Sequence, residues 1–377
     1  MRKIKILALH NGSGVAYHRV LKPMKGLTML YPDDYEIYYS HVKNKDISCL
    51  PNVNYTFDII YFNTILGIED DSPLLPYLEH MLNKGAKIVL DIDDYFEFGR
   101  SVLVKKDIGN KHASLVPEAI KASDYVTTTT ETYQKKLFEL NKNVEVFPNF
   151  ADEFDPQYKS EKTLSNKIRI GVTGSAMHKF DVQLLKGVPY MLKKDGYLSK
   201  IQFVLCGYAD NFVYHGYERI LTDEYRTITR SYRHRLEDKS AMNMNNEYEA
   251  YRRIGWRDID NYMTIYNELD VLIAPLENTK FNSAKSQIKY IEAASMDTVF
   301  VGSNVPSYNQ YVVDGVNGFL CNNTRDFAST IKLIVDDWDE TDGFKGMKAA
   351  AKFDIQQRFT LTAVTEKRNE FFKKIVL

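Results

Sequence analysis

Residues 270–303 read DVLIAPLENTKFNSAKSQIKYIEAASMDTVFVGS. Two continuous apolar runs, DVLIAPL and TVFVGS, bracket a helical stretch, FNSAKSQIKYIEAAS, at 281–295. A short, unbroken apolar run marks a strand buried on both faces, and two such strands joined by a helix make a βαβ unit of a parallel sheet. The helix places Lys285, Lys289 and Glu292 at i, i+4 and i+7, so three charges share one face. Ala284, Ile288, Ile291 and Ser295 share the neighbouring face and are expected to pack on the sheet. The charges form either a solvated ion-pair stripe, worth less than about 1 kcal/mol, or a ligand site. Asn282 or Ser283 is the expected N-cap, and the free N–H groups and dipole of a helix start attract an anion. Lys285 stands beside that point, and Glu292 lies about 10 Å deeper at 1.5 Å per residue. Such a separation suits a phosphate at the helix end and a ribose hydroxyl pair further along.

The same alternation extends in both directions. Toward the N-terminus, KIKILAL (3–9) leads into the Gly-rich turn HNGSG and a helix, and DIIYFN (58–63), AKIVLDI (86–92), DYVTTTT and VEVFPN read as further strands. SPLLPYLEHMLNKG reads as a helix with Ser72 as its N-cap and Gly85 as its stop. After a polar stretch the pattern restarts with KIRIGVTGS, the helix DVQLLKGVPYML with Asp181 as its expected N-cap, and the strand IQFVLCG. IDNYMTIYNEL is a further helix, NGFLC a short last strand, and helices are expected over 324–337 and 359–374. The expected fold class is α/β: two Rossmann-like, doubly wound parallel-sheet domains with a cleft between them. The boundaries are 1–150 for an acceptor-side domain, 151–166 for a linker, and 167–355 for a donor domain with an insertion at about 208–250. The C-terminal helix, 356–377, is placed to pack back on the first domain. Ligands of such folds bind outside the carboxyl ends of the strands, which points to the cleft.

Composition narrows the class. The 377 residues suffice for two domains, and 44% hydrophobic with 26% charged residues suits a globular protein. A formal net charge of −1 demands no polyanionic partner, so only a local patch would serve one. Cys49, Cys206 and Cys321 lack metal-ligand spacing and read as buried thiols of a reducing cytoplasm. The apolar run ILAL is too short for a signal sequence, and no stretch approaches the 20 or so apolar residues of a membrane span. The expected location is the cytoplasm of a bacterium, or of the host cell for a phage-encoded chain. Oligomeric state is not legible.

Residues 269–320 resemble the donor-binding segment of retaining glycosyltransferases of the two-Rossmann, GT-B type. The resemblance is to the family-four (group 1) branch, in a variant common in bacterial and phage sequences. It rests on Pro275, Asn282, Lys285, Ser286, Lys289, Glu292 and the Gly-x-Asn-Gly at 315–318, in that order and spacing. The resemblance implies that Lys285 and Ser286 take the donor diphosphate and Glu292 the nucleotide ribose. Commoner members carry a second glutamate where this chain has Ala284. Gly174, Ser175, His178 and Asp181 continue the resemblance, with His178 and Lys179 standing where many relatives neutralise the leaving diphosphate. The loop with Gly12 and Gly14 faces the cleft in the family; Arg19 lies one turn into the following helix, and His18 reads as structural. Asp93 ends the fourth strand, where many members have a histidine near the reacting sugar, and Asp94 caps the turn. Trp256 either meets the base or fills the core.

Two other signals compete. Asp91 and Asp93 form a D-x-D, the metal site of the one-domain glycosyltransferase architecture, but a two-domain chain with a lysine-bearing donor helix points away from a metal. Arg226, Arg230, Arg233 and Arg235 are either a solvated helix or a patch for a phosphate-rich acceptor. The expected reaction is transfer from a nucleotide-diphosphate sugar, UDP-sugar rather than GDP-sugar, to an acceptor hydroxyl with retention. No metal and no further cofactor are expected, and the acceptor is a saccharide, a lipid or a DNA base. Asp93, His178 and Lys285 are the catalytic candidates. Gly12, Gly14, Arg19, Gly174, Ser175, Lys179, Trp256, Asn282, Ser286, Lys289 and Glu292 are the donor-binding candidates. The alternatives are a nucleotide-sugar epimerase of the same fold and a non-catalytic binding protein, the latter suggested by Ala284.

Overall fold

The structure, a computed structural model, describes residues 2–12, 14–42, 48–63, 74–98, 106–209, 211–222 and 250–376. The first sheet is formed by β1 (Ile4–His10), β2 (Tyr35–His41), β3 (Ile59–Asn63), β4 (Lys87–Ile92), β5 (Tyr125–Thr128) and β6 (Val144–Val146). They run parallel in the order β2-β1-β3-β4-β5-β6. The second is formed by β7 (Ile168–Thr173), β8 (Ile201–Tyr208), β9 (Tyr251–Gly255), β10 (Val271–Ala274), β11 (Val299–Ser303) and β12 (Phe319–Cys321), parallel in the order β12-β11-β10-β7-β8-β9. Central strands are buried along their whole length, as their unbroken apolar runs require: all five residues of β3, four of β10 and five of β11 are buried.

The strand orders locate the site. In the first sheet the chain builds outward from β1 to β2 and then crosses to β3 on the other side of β1; in the second it builds from β7 to β9 and then returns to β10 beside β7. Each reversal splays the loops at the strands' carboxyl ends, and the crevice between them is where doubly wound sheets take ligands.

Three elements escape the sequence reading. Strand β2 is an edge strand, buried at only two of its seven positions, so its apolar signal is diluted. Strand β9, YRRIG, has no unbroken apolar run to mark it; its two arginines are buried and ion-paired to Glu268 and Glu218. A helix at Lys345–Arg358 fills the gap left before the last helix. The expected insertion at 208–250 is also corrected at its start. Phe212–Thr222 is a helix that buries Val213, Tyr217 and Leu221 in the core of the second domain. Arg226, Arg230, Arg233 and Arg235 lie outside the described residues, as does Ser72. Gly85 stops its helix at φ +93°, a backbone state costly for other residues. Cys206 and Cys321 are buried, but Cys49 is exposed.

The chain passes twice between the domains. Ala151 and Thr360 form an isolated bridge where the two crossing segments meet. Beside it the Glu153 carboxylate accepts hydrogen bonds from the Leu361 and Thr362 backbone N–H groups, at 2.8 and 3.0 Å. It thereby caps the helix Leu361–Val376. That helix packs on the helix Lys22–Leu30 of the first domain across Gly26, where a Cβ would stand 2.7 Å from Thr365 Oγ1 and 2.8 Å from Leu361 Cδ1. Its Arg368 is fully buried, its guanidinium 4.6 Å over the Phe147 ring and beside Tyr61, and among the described residues none of its nitrogens has a hydrogen bond of good geometry. Burial lowers its pKa to about 10.

Candidate active site

A cavity of about 1130 Å³ lies between the two sheets' carboxyl ends. It is slightly larger than the usual small-ligand pocket. The first domain supplies the turn after β1, the end of β4 and the segment after β6; the second supplies the turn after β7, the loop after β9 and the segment between β10 and β11.

The first-domain wall rests on a buried pair. The chain after β1 turns at Gly12, φ +73°, and enters a helix whose residues Tyr17–Leu21 adopt π geometry. Such a bulge shifts the side-chain register, a device common at functional sites. Here it turns Arg19 inward, where Nε and Nη2 donate to the two Asp91 oxygens at 2.9 and 2.6 Å and Nη1 donates to the Phe147 carbonyl and Asn149 Oδ1. Asp91 also accepts from Tyr61, Thr127 and Asn63. Burial opposes the Asp91 charge, but Arg19 outweighs it and holds the carboxyl below its usual range. Arg19, a donor-binding candidate, therefore borders the cavity with its guanidinium committed to Asp91, Phe147 and Asn149. Asp91 is likewise committed, to Arg19, Tyr61, Thr127 and Asn63. Asp93 lines the cavity, and burial together with Asp94 and Asp91 lifts its pKa to about 6.

The second-domain wall is built from the segment quoted first, and it is not one helix. Lys280–Ser283 forms a single turn, and the helix proper starts at Ile288 and ends at Ser295. Thr279, not Asn282 or Ser283, caps the first turn, its side chain accepting from the Asn282 N–H. Lys285 and Ser286 lie in the break, just ahead of the second helix's free N–H groups. Lys285, Lys289 and Glu292 thus do not share a continuous helical face, and Ile288, expected on the sheet side, lines the cavity instead.

Glu292 is 3% exposed. Its carboxylate accepts from Tyr262 at 3.1 Å, Tyr266 at 2.6 Å and Lys289 at 2.8 Å. Burial pushes its pKa up, but Lys289 and the Tyr266 hydrogen bond outweigh that and hold it ionised. Lys289 and Glu292 are therefore an ion pair, as the first of the two readings has it, and both also line the cavity. His18 faces them, edge-on to Tyr262 at 5.8 Å, with burial lowering its pKa to about 4.

The turn after β7 presents Gly174, Ser175 and His178 to the cavity. A Cβ at Gly174 would stand 3.2 Å from the His178 ring, so glycine gives the imidazole its place. Asp181 is not an N-cap. It is buried, accepting from the Glu277 N–H and Asn282 Nδ2 and pairing with His178 Nδ1 at 2.8 Å. Because the carboxylate only accepts, Nδ1 carries the ring proton and Nε2 is left as the ring's other polar atom. Burial lowers the His178 pKa, so the ring is neutral at pH 7.

Two candidates do not reach the cavity. Asn282 is fully buried and ties the β10 loop to Asp181, and Lys179 lies over the Phe180 and Phe212 rings at 5.8 and 5.5 Å. Trp256 is 70% exposed at the cavity rim, which removes the core reading. Asp93, His178 and Lys285, with Gly12, Gly14, Gly174, Ser175, Trp256, Ser286, Lys289 and Glu292, line one cavity.

Contacts across the cleft are the part no motif announced. Asp94 does not cap a turn; it pairs with Lys285 Nζ at 3.2 Å. Asn149 donates to Ser286 Oγ at 2.8 Å and Lys136 to Ser283 Oγ at 2.9 Å. Only the Pro-Asn at 148–149, a turn following a strand, marks Asn149 in the sequence. Among the described residues no three His, Cys, Asp or Glu side chains converge to hold a metal ion, and no helix is long and apolar enough to cross a membrane.

Residues 183–337 match the model of the family described as glycosyl transferases group 1. No curated protein matches the chain. Among solved structures the chain is similar to a glycosyltransferase from Rickettsia africae, at 14% identity and TM-score 0.65, covering 100% of this chain and 99% of that one. It is similar to the sucrose-phosphate synthase of Thermosynechococcus elongatus, at 11% identity and TM-score 0.67, with the same coverage. It is also similar to Anabaena HepE in complex with UDP-glucose, at 16% identity and TM-score 0.57, covering 99% of each chain. The two Rossmann-like domains are those of the GT-B fold.

Proposed function

We propose that this chain, whose residues 183–337 match the group 1 glycosyltransferases, moves a sugar from UDP-sugar to an acceptor hydroxyl with retention at the anomeric carbon. The observation that carries the reading is the grouping on one cavity wall of a buried, ionised Glu292, a free helix start at Ile288, and Lys285 beside it. A carboxylate accepts two hydroxyl hydrogens of a ribose; a helix start and a lysine hold a diphosphate. On this reading Lys285 exchanges Asp94 for the diphosphate, and the Ser286 region supplies N–H donors. The bond from the anomeric carbon to the diphosphate oxygen breaks with its electron pair going to the diphosphate. The acceptor oxygen forms the new bond and passes its proton to the departing diphosphate oxygen. Charge thus builds on the diphosphate in the transition state, where fixed donors lower the barrier most. His178 is neutral beforehand, and its Nε2 takes a proton only when the diphosphate arrives beside it. Asp93 is set at the junction of donor and acceptor.

Titration with UDP, GDP and their sugars in a calorimeter tests the donor. UDP and one UDP-sugar should bind, and saccharide or other hydroxyl acceptors should then release UDP. Retention is checked by NMR of the product anomer. Absence of any nucleotide affinity refutes the reading. A UDP-sugar altered at a ring carbon with no acceptor present makes the protein an epimerase, and binding without turnover makes it a binding protein.

A further inference from the structure

A cavity of about 480 Å³ lies at the amino ends of β10 and β11, away from the cleft. Its walls are the parts that join the two domains. The first crossing segment, from Ala151 to Lys162, forms one side, and Ile355, Gln356 and Thr360, leading into the second crossing, form another. The third side is Ser295 and Met296, at the end of the helix Ile288–Ser295 that carries Lys289 and Glu292. The floor is apolar: Ala151, Met296 and Ile355 are buried in one cluster, with Tyr158 packed against it.

Among the described residues the cavity is also lined by three lysines and three carboxylates. Two of the six serve the fold. Glu153 caps the helix Leu361–Val376, and Lys162 donates to Thr298 Oγ1 at 2.7 Å and to the Tyr266 and Leu269 carbonyls. Lys352 pairs with Asp297 at 3.2 Å; both are about half exposed, so the pair is weak enough to open to a ligand. Lys159 and Glu161 stand exposed on the linker. An occupant with a net charge of either sign meets like charges on this rim. One that carries an ammonium and a carboxylate meets an opposite charge at each. The volume lies in the small-molecule range and holds about sixteen water-sized groups at roughly 30 Å³ each, the scale of an aromatic or large aliphatic amino acid.

Two connections run from this cavity to Glu292. Tyr158 is hydrogen-bonded to Tyr262, and Tyr262 donates to the Glu292 carboxylate at 3.1 Å. Lys162 holds the carbonyl of Tyr266, whose hydroxyl donates to Glu292 at 2.6 Å. A molecule that fits the cavity as it stands therefore favours the arrangement that holds Glu292 in place.

We propose that this cavity is a second ligand site, that it takes a zwitterionic α-amino acid with a large apolar side chain, and that its occupancy tightens the nucleotide site through Tyr158 and the helix Ile288–Ser295. The site itself is independent of the glycosyltransferase reading; only its coupling rests on that reading.

The test titrates phenylalanine, tyrosine, tryptophan, leucine and methionine into the full chain in a calorimeter, with and without saturating UDP. At least one should bind. Its amide, with a net positive charge, and its N-acetyl derivative, with a net negative one, should bind at least tenfold more weakly. Lys352→Ala and Glu161→Ala, both on the surface, should each weaken the amino acid fivefold or more and leave UDP affinity in its absence unchanged. Saturating amino acid should tighten UDP about fivefold or more in the wild type, and UDP should tighten the amino acid by the same factor. No binding by any of the five, equal binding of the amide or the N-acetyl derivative, or unchanged affinity in both variants overturns the site. Unchanged or weakened UDP affinity overturns the coupling. Failure of UDP to bind under either condition counts against the donor reading and the coupling together, while the site is judged by the amino-acid titration alone.

Discussion

Asp91 and Glu292 are both buried carboxylates, one in each wall of the cleft, and they are held in opposite ways. Asp91 is fully buried, is gripped in a bidentate pair by Arg19, and accepts from three further residues of its own domain. Glu292 has one lysine, itself at the cavity surface, and two tyrosine hydroxyls. The first arrangement leaves no partner to spare; on the proposed reading the second exchanges Lys289 or Tyr262 for a ligand hydroxyl. Both residues look alike in composition and charge. On the proposed reading, what separates the fold-holding carboxylate from the ligand-holding one is how many fixed partners each already has.

The largest effect should come from breaking the closed pair. Asp91→Ala leaves the Arg19 charge buried without its counter-ion, and urea unfolding should show a loss of about 3–5 kcal/mol. A loss below about 1 kcal/mol would mean that Arg19 reaches solvent, and with it the cavity.

Glu292→Gln should act on binding. UDP affinity in calorimetry should fall by about 1–3 kcal/mol, the range for hydrogen bonds to a charged group. Stability should drop by only about 1 kcal/mol, because the amide still accepts from a tyrosine. Unchanged UDP affinity would place Glu292 with Asp91 as a structural group.

Asp93 sharpens the contrast through pH. Its folded pKa of about 6 lies above the ordinary carboxylate value, so the native state binds more protons than the unfolded chain between about pH 4 and 6. Its contribution to stability therefore falls as pH rises through that window and is flat above it. Asp93→Asn should remove the fall, gaining about 1–3 kcal/mol over wild type at pH 7.5 and less at pH 4.5, from about 1.4 kcal/mol per pKa unit. Parallel melting curves for the two proteins would refute this.

The smallest effect is expected at Arg368, the buried guanidinium with no hydrogen bond of good geometry among the described residues. Arg368→Met should raise stability by about 1 kcal/mol, since an unpaired buried charge is replaced by an apolar chain of similar length. A loss above about 2 kcal/mol, again by urea unfolding, would show that its stacking on Phe147 and its field on Asp91 outweigh the desolvation.

The central strands were legible because burial on both faces leaves unbroken apolar runs, as in DIIYFN and DVLIAPL. Edge strands β2 and β9 were not, since half their surface is polar or ion-paired. The site was legible where one segment carries it: Lys285, Ser286, Lys289 and Glu292 line one wall as a group. Direction was not legible. Arg19 and Asn282 are polar residues at motif positions, yet Arg19, at the cavity edge, is turned onto Asp91, and a short capped turn buries Asn282 away from the cavity.

The sequence by itself determined two doubly wound sheets and the segment that faces the cleft between them, because apolar periodicity and turn chemistry are local properties of the chain. Tertiary structure alone decided which charges serve the fold and which remain for a ligand. Asp94 with Lys285, Asn149 with Ser286 and His18 beside Glu292 are more than a hundred residues apart in the chain, and a charge's role follows from the solvent and partners that folding leaves around it.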